Sequence, residues 1–169
     1  GVFCSAQLYA VTGRSFWRLD RTLIRFVVTM AVTGAAVLTA VASLVVSLHT
    51  ADWQLEPMRR AAVVVVFIGT VAGLAAVELH RRRHAGHGGE LGRSEALLAG
   101  PLRSSRTSGV ALAITACIAA VLSLLFQATS TASGAAWVLA AVAAIAASWI
   151  ERRLFFVAVA PDRMPGGLR

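Results

Sequence analysis

Lysine is missing altogether from this chain of 169 residues: all 16 basic residues are arginine. In a sequence rich in alanine and valine, that bias is what a GC-rich genome produces, and no mechanism is read from it. Cysteine is nearly missing too. Cys4 and Cys117 stand in separate apolar segments without C-x-x-C or metal-ligand spacing, so they encode no redox motif and say nothing about compartment. Charge is scarce, at 14% against 57% hydrophobic residues, and the mean hydropathy is +0.73. An ordinary soluble domain is about 45–50% apolar, so this composition argues against one. No P-loop, nucleophile elbow or paired-carboxylate pattern occurs, which leaves the common soluble-enzyme chemistries without a motif.

Histidine is limited to four residues, and none lies inside an apolar run. A membrane b-type cytochrome needs axial ligands facing each other within the bilayer. His49 and His80 instead fall at helix ends on opposite faces of the membrane, so no haem is expected on this chain. His80, His84 and His87 crowd one polar stretch, but no Cys, Asp or Glu completes a ligand set at tight spacing, and no metal is expected either. A secondary transporter would carry interrupted helices with polar residues at midplane. The first three apolar runs show neither; beside apolar side chains their interiors hold only Thr, Ser and Gly.

What the sequence does have is long apolar runs. "GVFCSAQLYAVTG" starts apolar and stops at Gly13; its eleven helical residues would cover about 16 Å, half of a ~30 Å hydrocarbon core. It reads as the end of a spanning helix in residues 1–11, and the chain as the C-terminal part of a longer protein. Four runs follow, at 23–48, 61–79, 110–126 and 134–160, the last taken through three charges. The expectation is therefore an all-α, polytopic transmembrane helix bundle in a single domain, with four full spans plus the end of a fifth. The Ala-rich fourth run should pair with the third as a hairpin through "QATSTAS", its small residues allowing close packing. Gly69 and Gly73 form a G-x-x-x-G, read as packing within the chain rather than as a dimer signal.

Charge orders these spans. Alternate polar segments split the Arg residues 14 to 2. By the positive-inside rule the Arg-rich side, which includes residues 80–109 and the C-terminus, faces the cytoplasm. That rule also accounts for the net charge of +8 without a nucleic-acid partner. Trp17, Trp53, Trp137 and Trp149 all fall near predicted interfaces, as an aromatic belt requires.

The fourth run reads "SWIERRLFFVAVAP". Either the helix leaves the membrane at Ile150 and the charges sit among headgroups, or it continues to Ala160, where Pro161 ends it. Seventeen Ala-rich residues make a poor span, which favours continuation; two adjacent Arg and the loop bias favour the surface. The continued helix is expected, with Glu151 near the bilayer midplane, Glu151 and Arg152 turned inward and Arg153 reaching for water. Glu151 and Arg152 are then the candidate site residues.

Two stretches carry a resemblance. "VFCSAQLYAVTGRSFWRLDRTLIRF" and "ERRLFFVAVAPDRMPGG" together resemble the membrane-anchor subunit of the dimethyl sulfoxide reductase family of bacterial molybdoenzymes. Cys4, Ser5, Tyr9, Thr12, Phe16, Trp17, Arg25 and Phe26 match at one end. Glu151, Arg152, Leu154 to Phe156, Pro161 and Met164 to Gly167 match at the other. The blocks cover about a quarter of the chain, in the expected order; the middle matches only as hydrophobic helices. The resemblance implies an eight-helix, multi-pass subunit of the bacterial inner (cytoplasmic) membrane, of which this chain supplies the last four helices. It implies a haem-free anchor that oxidises menaquinol and passes electrons to an iron–sulfur subunit, itself paired with a molybdopterin catalytic subunit, in anaerobic respiration. The chain itself would be a non-catalytic scaffold bathed in membrane lipid. Half of a secondary transporter, or a purely structural bundle, are the rival readings.

Overall fold

The computed structural model describes Gln7, residues 19–49, 55–84, 90–127 and 130–158. Among the described residues there is no strand, and the chain is an all-α bundle. Its elements are α1 (Leu19–His49), α2 (Leu55–His84), α3 (Glu90–Ala99), α4 (Arg103–Leu122, closed by a 3₁₀ turn at Ser123–Leu125) and α5 (Thr131–Val157). The partial span in residues 1–11 lies outside the described residues apart from Gln7, which is helical.

Four helices are long and apolar enough to cross a membrane: Thr22–Val46, Leu55–Leu79, Arg103–Leu125 and Thr131–Val157. Their large apolar side chains point outward. Met30, Leu38, Ile68, Leu125 and Val142 are all more than half exposed. On a water-soluble monomer an exposed apolar surface of this extent would be an association site; on four spans of this length it is the face offered to lipid. The chain is a multi-pass membrane protein.

Each helix outruns its apolar run at one or both ends. α2 starts at Leu55, with Glu56 in its first turn and Pro57 where a missing N–H costs little. α5 starts at Thr131, because the Ser130 hydroxyl accepts the Ser133 N–H at 3.2 Å as an N-cap. From Thr131 to Ile150 the helix has twenty residues, about 30 Å, which is one hydrocarbon thickness. The fourth span is therefore complete before its charges. The helix nevertheless runs unbroken through Glu151, Arg152 and Arg153 to Val157. The charges lie level with Arg25 near the start of α1 and Arg106 near the start of α4, since all three elements wall one cavity there. The helix continues through the charges, and counting the span from Thr131 argues for Glu151 at the edge of the apolar slab rather than at midplane.

The spans form a four-membered ring in which α1 packs on α2 and α5, and α4 packs on α5 and, less closely, on α2. The α4–α5 pair is the most extensive, as the hairpin reading expects. Small residues make this possible. Ala116, Ala119 and Ala120 of α4 meet Ala140, Ala141, Ala143 and Ala144 of α5 in one core with Ala36, Ala40 and Val66. Gly69 is where α1 and α2 come closest: a Cβ there would collide with Val32 Cγ2. The G-x-x-x-G is an intrachain contact.

Trp137 is a correction. It is fully buried at the centre of this core, not in an interfacial belt. The first helical turns after the Ser130 cap carry it inward, where the alanines around it leave room for an indole. Trp149 is 65% exposed and keeps an outward position; Trp17 and Trp53 lie outside the described residues.

Candidate functional site

The bundle is tight at one end and open at the other. Ser43, Arg59, Ser123 and Ser133 are buried at the tight end, against one another's helices. Arg59 is the largest polar side chain there, with only 1% exposure. It donates through Nη1 to Glu56 Oε2 at 2.8 Å, and through Nη2 to the Ser123 and Phe126 carbonyls, the latter at 3.2 Å. Those carbonyls lie at the 3₁₀ turn that ends α4; Ser123 also accepts the Phe126 N–H at 3.3 Å, and the guanidinium satisfies the open lone pairs that remain. Arg59 thus caps α4 from α2. In the sequence it is only one of the two Arg on the Arg-poor side, because its carbonyl partners lie more than sixty residues further along the chain.

At the open end a cavity of about 160 Å³ lies between all four spans. The chain direction in each helix gives it a consistent polarity. Arg25, Arg106 and Glu151 stand at its outer rim; Val32, Gly69, Ala116 and Ala144 stand at its depth. From Glu151 to Ala144 is seven residues of helix, so the cavity extends about 10 Å inward from its charges. The space exists because small residues face it (Gly69, Gly73, Gly109, Ala113, Ala147) while the bulky apolar side chains of the same helices turn to lipid.

Several polar groups in the spans are satisfied locally, while the buried Thr22, Ser43 and Ser133 hydroxyls and the Trp137 N–H find no partner among the described residues. Thr33 donates to the Thr29 carbonyl at 2.6 Å, Thr39 to Ala35 at 2.8 Å, and Ser148 to Ala144 at 2.7 Å. Glu151 differs. It is half-buried on the cavity wall, and no hydrogen bond or ion pair to another described residue holds its carboxylate. An acceptor with open lone pairs, facing an apolar space, is suited to a ligand hydroxyl.

Arg152 does not line this cavity, although it borders a small adjoining crevice with Glu151, Arg25 and Phe26. Neighbouring helical residues point about 100° apart, so when Glu151 faces the cavity Arg152 faces away. It is exposed, and its guanidinium lies 5.3 Å above the Phe26 ring, a cation–π contact between α5 and α1. Phe26 in turn packs on Phe155 at 6.3 Å between ring centres, and Phe155 on Phe156 edge-on at 5.6 Å. Arg152 is thus a clasp on the α1–α5 seam, and the expectation that it turns inward is corrected. Arg153 is exposed, as expected. Arg25 and Arg106, which complete the rim, were legible in the sequence only as flanking charges.

Of the histidine cluster, His80 and His84 fall in the last turns of α2, and His87 lies outside the described residues. Among the described residues no group of three or more His, Cys, Asp or Glu is gathered as a metal site.

No family model, no curated protein and no solved structure matches this chain.

Proposed function

We propose that the chain is part of a haem-free membrane anchor that oxidises menaquinol and delivers the electrons to an iron–sulfur subunit of a molybdopterin oxidoreductase in a bacterial cytoplasmic membrane. The reading rests on the two terminal blocks of sequence resemblance. The observation that carries it in the structure is one cavity with an unpartnered Glu151 carboxylate and two guanidinium groups at its rim and apolar walls beyond. A quinol is a ring bearing two hydroxyls on a hydrocarbon tail. It needs an acceptor for the hydroxyls and an apolar surround for the rest. An apolar cavity of about 150 Å³ takes a benzene ring, so this one admits the hydroxyl-bearing ring, while the fused second ring and the tail of menaquinol extend towards its open side.

In this reading one hydroxyl of the quinol donates to Glu151. Oxidation removes two electrons and two protons and leaves the quinone. One proton passes to the Glu151 carboxylate and then to water at the rim; the second leaves directly to rim water; the two electrons go to the iron–sulfur partner. Arg25 and Arg106 hold the rim positive. The positive-inside rule puts this rim on the cytoplasmic side.

The test is quinol-dependent turnover in the assembled complex. Glu151→Gln keeps the shape and loses the proton acceptor. It should assemble normally and lose about 100-fold or more in turnover, the usual weight of a positioned general base. Arg152→Gln should stay close to the parent, since it faces away from the cavity. Parent-like turnover in Glu151→Gln would remove Glu151 from the chemistry and the cavity from the proposal.

A further inference from the structure

A cavity of about 160 Å³ holds a ring but not a polyprenyl tail, so a quinol seated at Glu151 must send its tail out between two helices. Four seams are available. The α1–α2 seam is closed at the depth of the cavity by Gly69 against Val32. The α4–α5 seam is closed near the rim by Gly109, where an added Cβ would stand 3.2 Å from Ile150 Cγ2. The α1–α5 seam is closed by the Phe26–Phe155 pair and by Arg152 over Phe26.

The α2–α4 seam has a different character. These are the least closely packed neighbours in the ring. From Gly69 to Leu79 no residue of α2 is buried, and on α4 none is buried before Ala116. Inward of Arg106 at the rim, the walls they offer the cavity include Thr70, Gly73, Leu74, Val77, Val110 and Ala113, which are small or apolar and carry no charge. The short helix α3 sits over the water end of this gap, packed on both α2 and α4, and its Leu98 lines the same cavity. An alkyl chain leaving here meets apolar side chains on both sides and lipid beyond, while α3 stands between it and water.

We infer that the α2–α4 seam is the hydrocarbon-tail subsite of this cavity and its lateral portal to the bilayer. The inference rests on the quinol reading of the cavity and adds the path by which the ligand comes and goes. Seating a tail costs no broken packing, because the groups along the seam are already half exposed. The other three seams would each have to part a contact that the bundle now makes.

Two photoreactive menaquinol analogues with short alkyl tails separate the possibilities in the full chain in its membrane. One carries the diazirine on the ring, the other on the first tail carbons. The ring probe should mark α5 beside Glu151, and the tail probe should mark Leu74, Val110 or Ala113. Tail labelling on Phe26 or Phe155 instead overturns the portal and leaves the quinol reading standing. Failure of the ring probe to mark the cavity takes down both. As a second measurement, Leu74→Cys with Val110→Cys, in a background lacking Cys4 and Cys117, can be joined by a bifunctional thiol reagent. Joining should slow probe binding by about tenfold, equivalent to about 1.4 kcal/mol on a barrier. The same bridge between Phe26→Cys and Phe155→Cys should leave the rate unchanged. Equal rates with and without the α2–α4 bridge overturn the portal.

Discussion

Gly69 and Gly73 belong to one G-x-x-x-G, yet the structure assigns them opposite responses to the same substitution. A Cβ on Gly69 would land on Val32 Cγ2, well inside van der Waals contact. Val32 cannot step aside cheaply, because a β-branched residue in a helix is nearly confined to one χ1 rotamer. The backbones of α1 and α2 must move apart instead. Overpacking of this kind costs about 1–3 kcal/mol, and replacing Gly by Ala in a helix returns up to about 1 kcal/mol. With the full return, Gly69→Ala should therefore lose up to about 2 kcal/mol. Gly73 has only Val28 Cγ1 near its added Cβ, at 3.9 Å, which is ordinary contact. Gly73→Ala should be neutral or gain up to about 1 kcal/mol. Reversible unfolding in mixed micelles, followed by far-ultraviolet circular dichroism, measures both. Val32→Ala removes the colliding methyl, so in that background Gly69→Ala should turn neutral or favourable, giving a coupling energy of about 1–3 kcal/mol. If the two glycines respond alike, or if Val32→Ala gives no relief, the intrachain account of the motif is wrong. Loss of self-association in both variants would point to the dimer reading instead.

Arg59→Leu should cost about 3 kcal/mol in the same unfolding assay, because it strips two carbonyl acceptors at the end of α4 of a charged donor. Glu56→Gln should cost less than about 1 kcal/mol, since Glu56 is 43% exposed and its pair with Arg59 is screened; equal losses would show that the ion pair, not the cap, is what matters. Orientation is tested with single cysteines at two exposed sites in a background lacking the native ones: in intact cells an impermeant thiol reagent should react with Gln127→Cys and not with Arg83→Cys. The reverse pattern would invert the bundle and move the cavity rim to the other side.

The spans were legible because hydropathy is a property of each segment alone, and lipid asks of a helix little more than length and apolarity. Helix ends were less so. α2 gains Leu55 to Arg60 from what read as a loop, and α5 gains Thr131 to Ser133 through the Ser130 cap. α3 reads as part of a basic loop, although "EALLAGP" has helix formers followed by a Gly-Pro stop; ten residues are too few for a span, so hydropathy does not mark them. The charge cluster was framed as a choice between a continuing helix and a membrane surface. Those alternatives exclude each other only if the span is counted from Gly134, and the N-cap four residues earlier dissolves the conflict. The candidate site was legible at Glu151 alone. Its rim comes from three helices and its walls from four, so no segment by itself announces it. Trp137 and Arg59 show the same limit from the other side. Each was read by its distance from a run's end, while its real surroundings are set by helices distant in sequence.

Burial along the bundle is lopsided, and this has a mechanical consequence. Nearly all the fully packed side chains lie at the Trp137 end; among the described residues of the spans and their caps, only Thr22, Phe155 and Ala158 are buried at the Glu151 end, on α1 and at the end of α5. The assembly behaves as a clothes-peg, with its spring at the tryptophan and its jaws at the glutamate. From Trp137 to Phe155 is eighteen residues, about 27 Å of stiff helix. A swing of α2 and α4 by about five degrees about the spring would open the jaws by about 2 Å without disturbing a core residue, on the standard helical rise. Grip on whatever fills the jaws can therefore change by substitution at the open end while the resistance of the bundle to unfolding stays where it is, and the two quantities are free to vary independently.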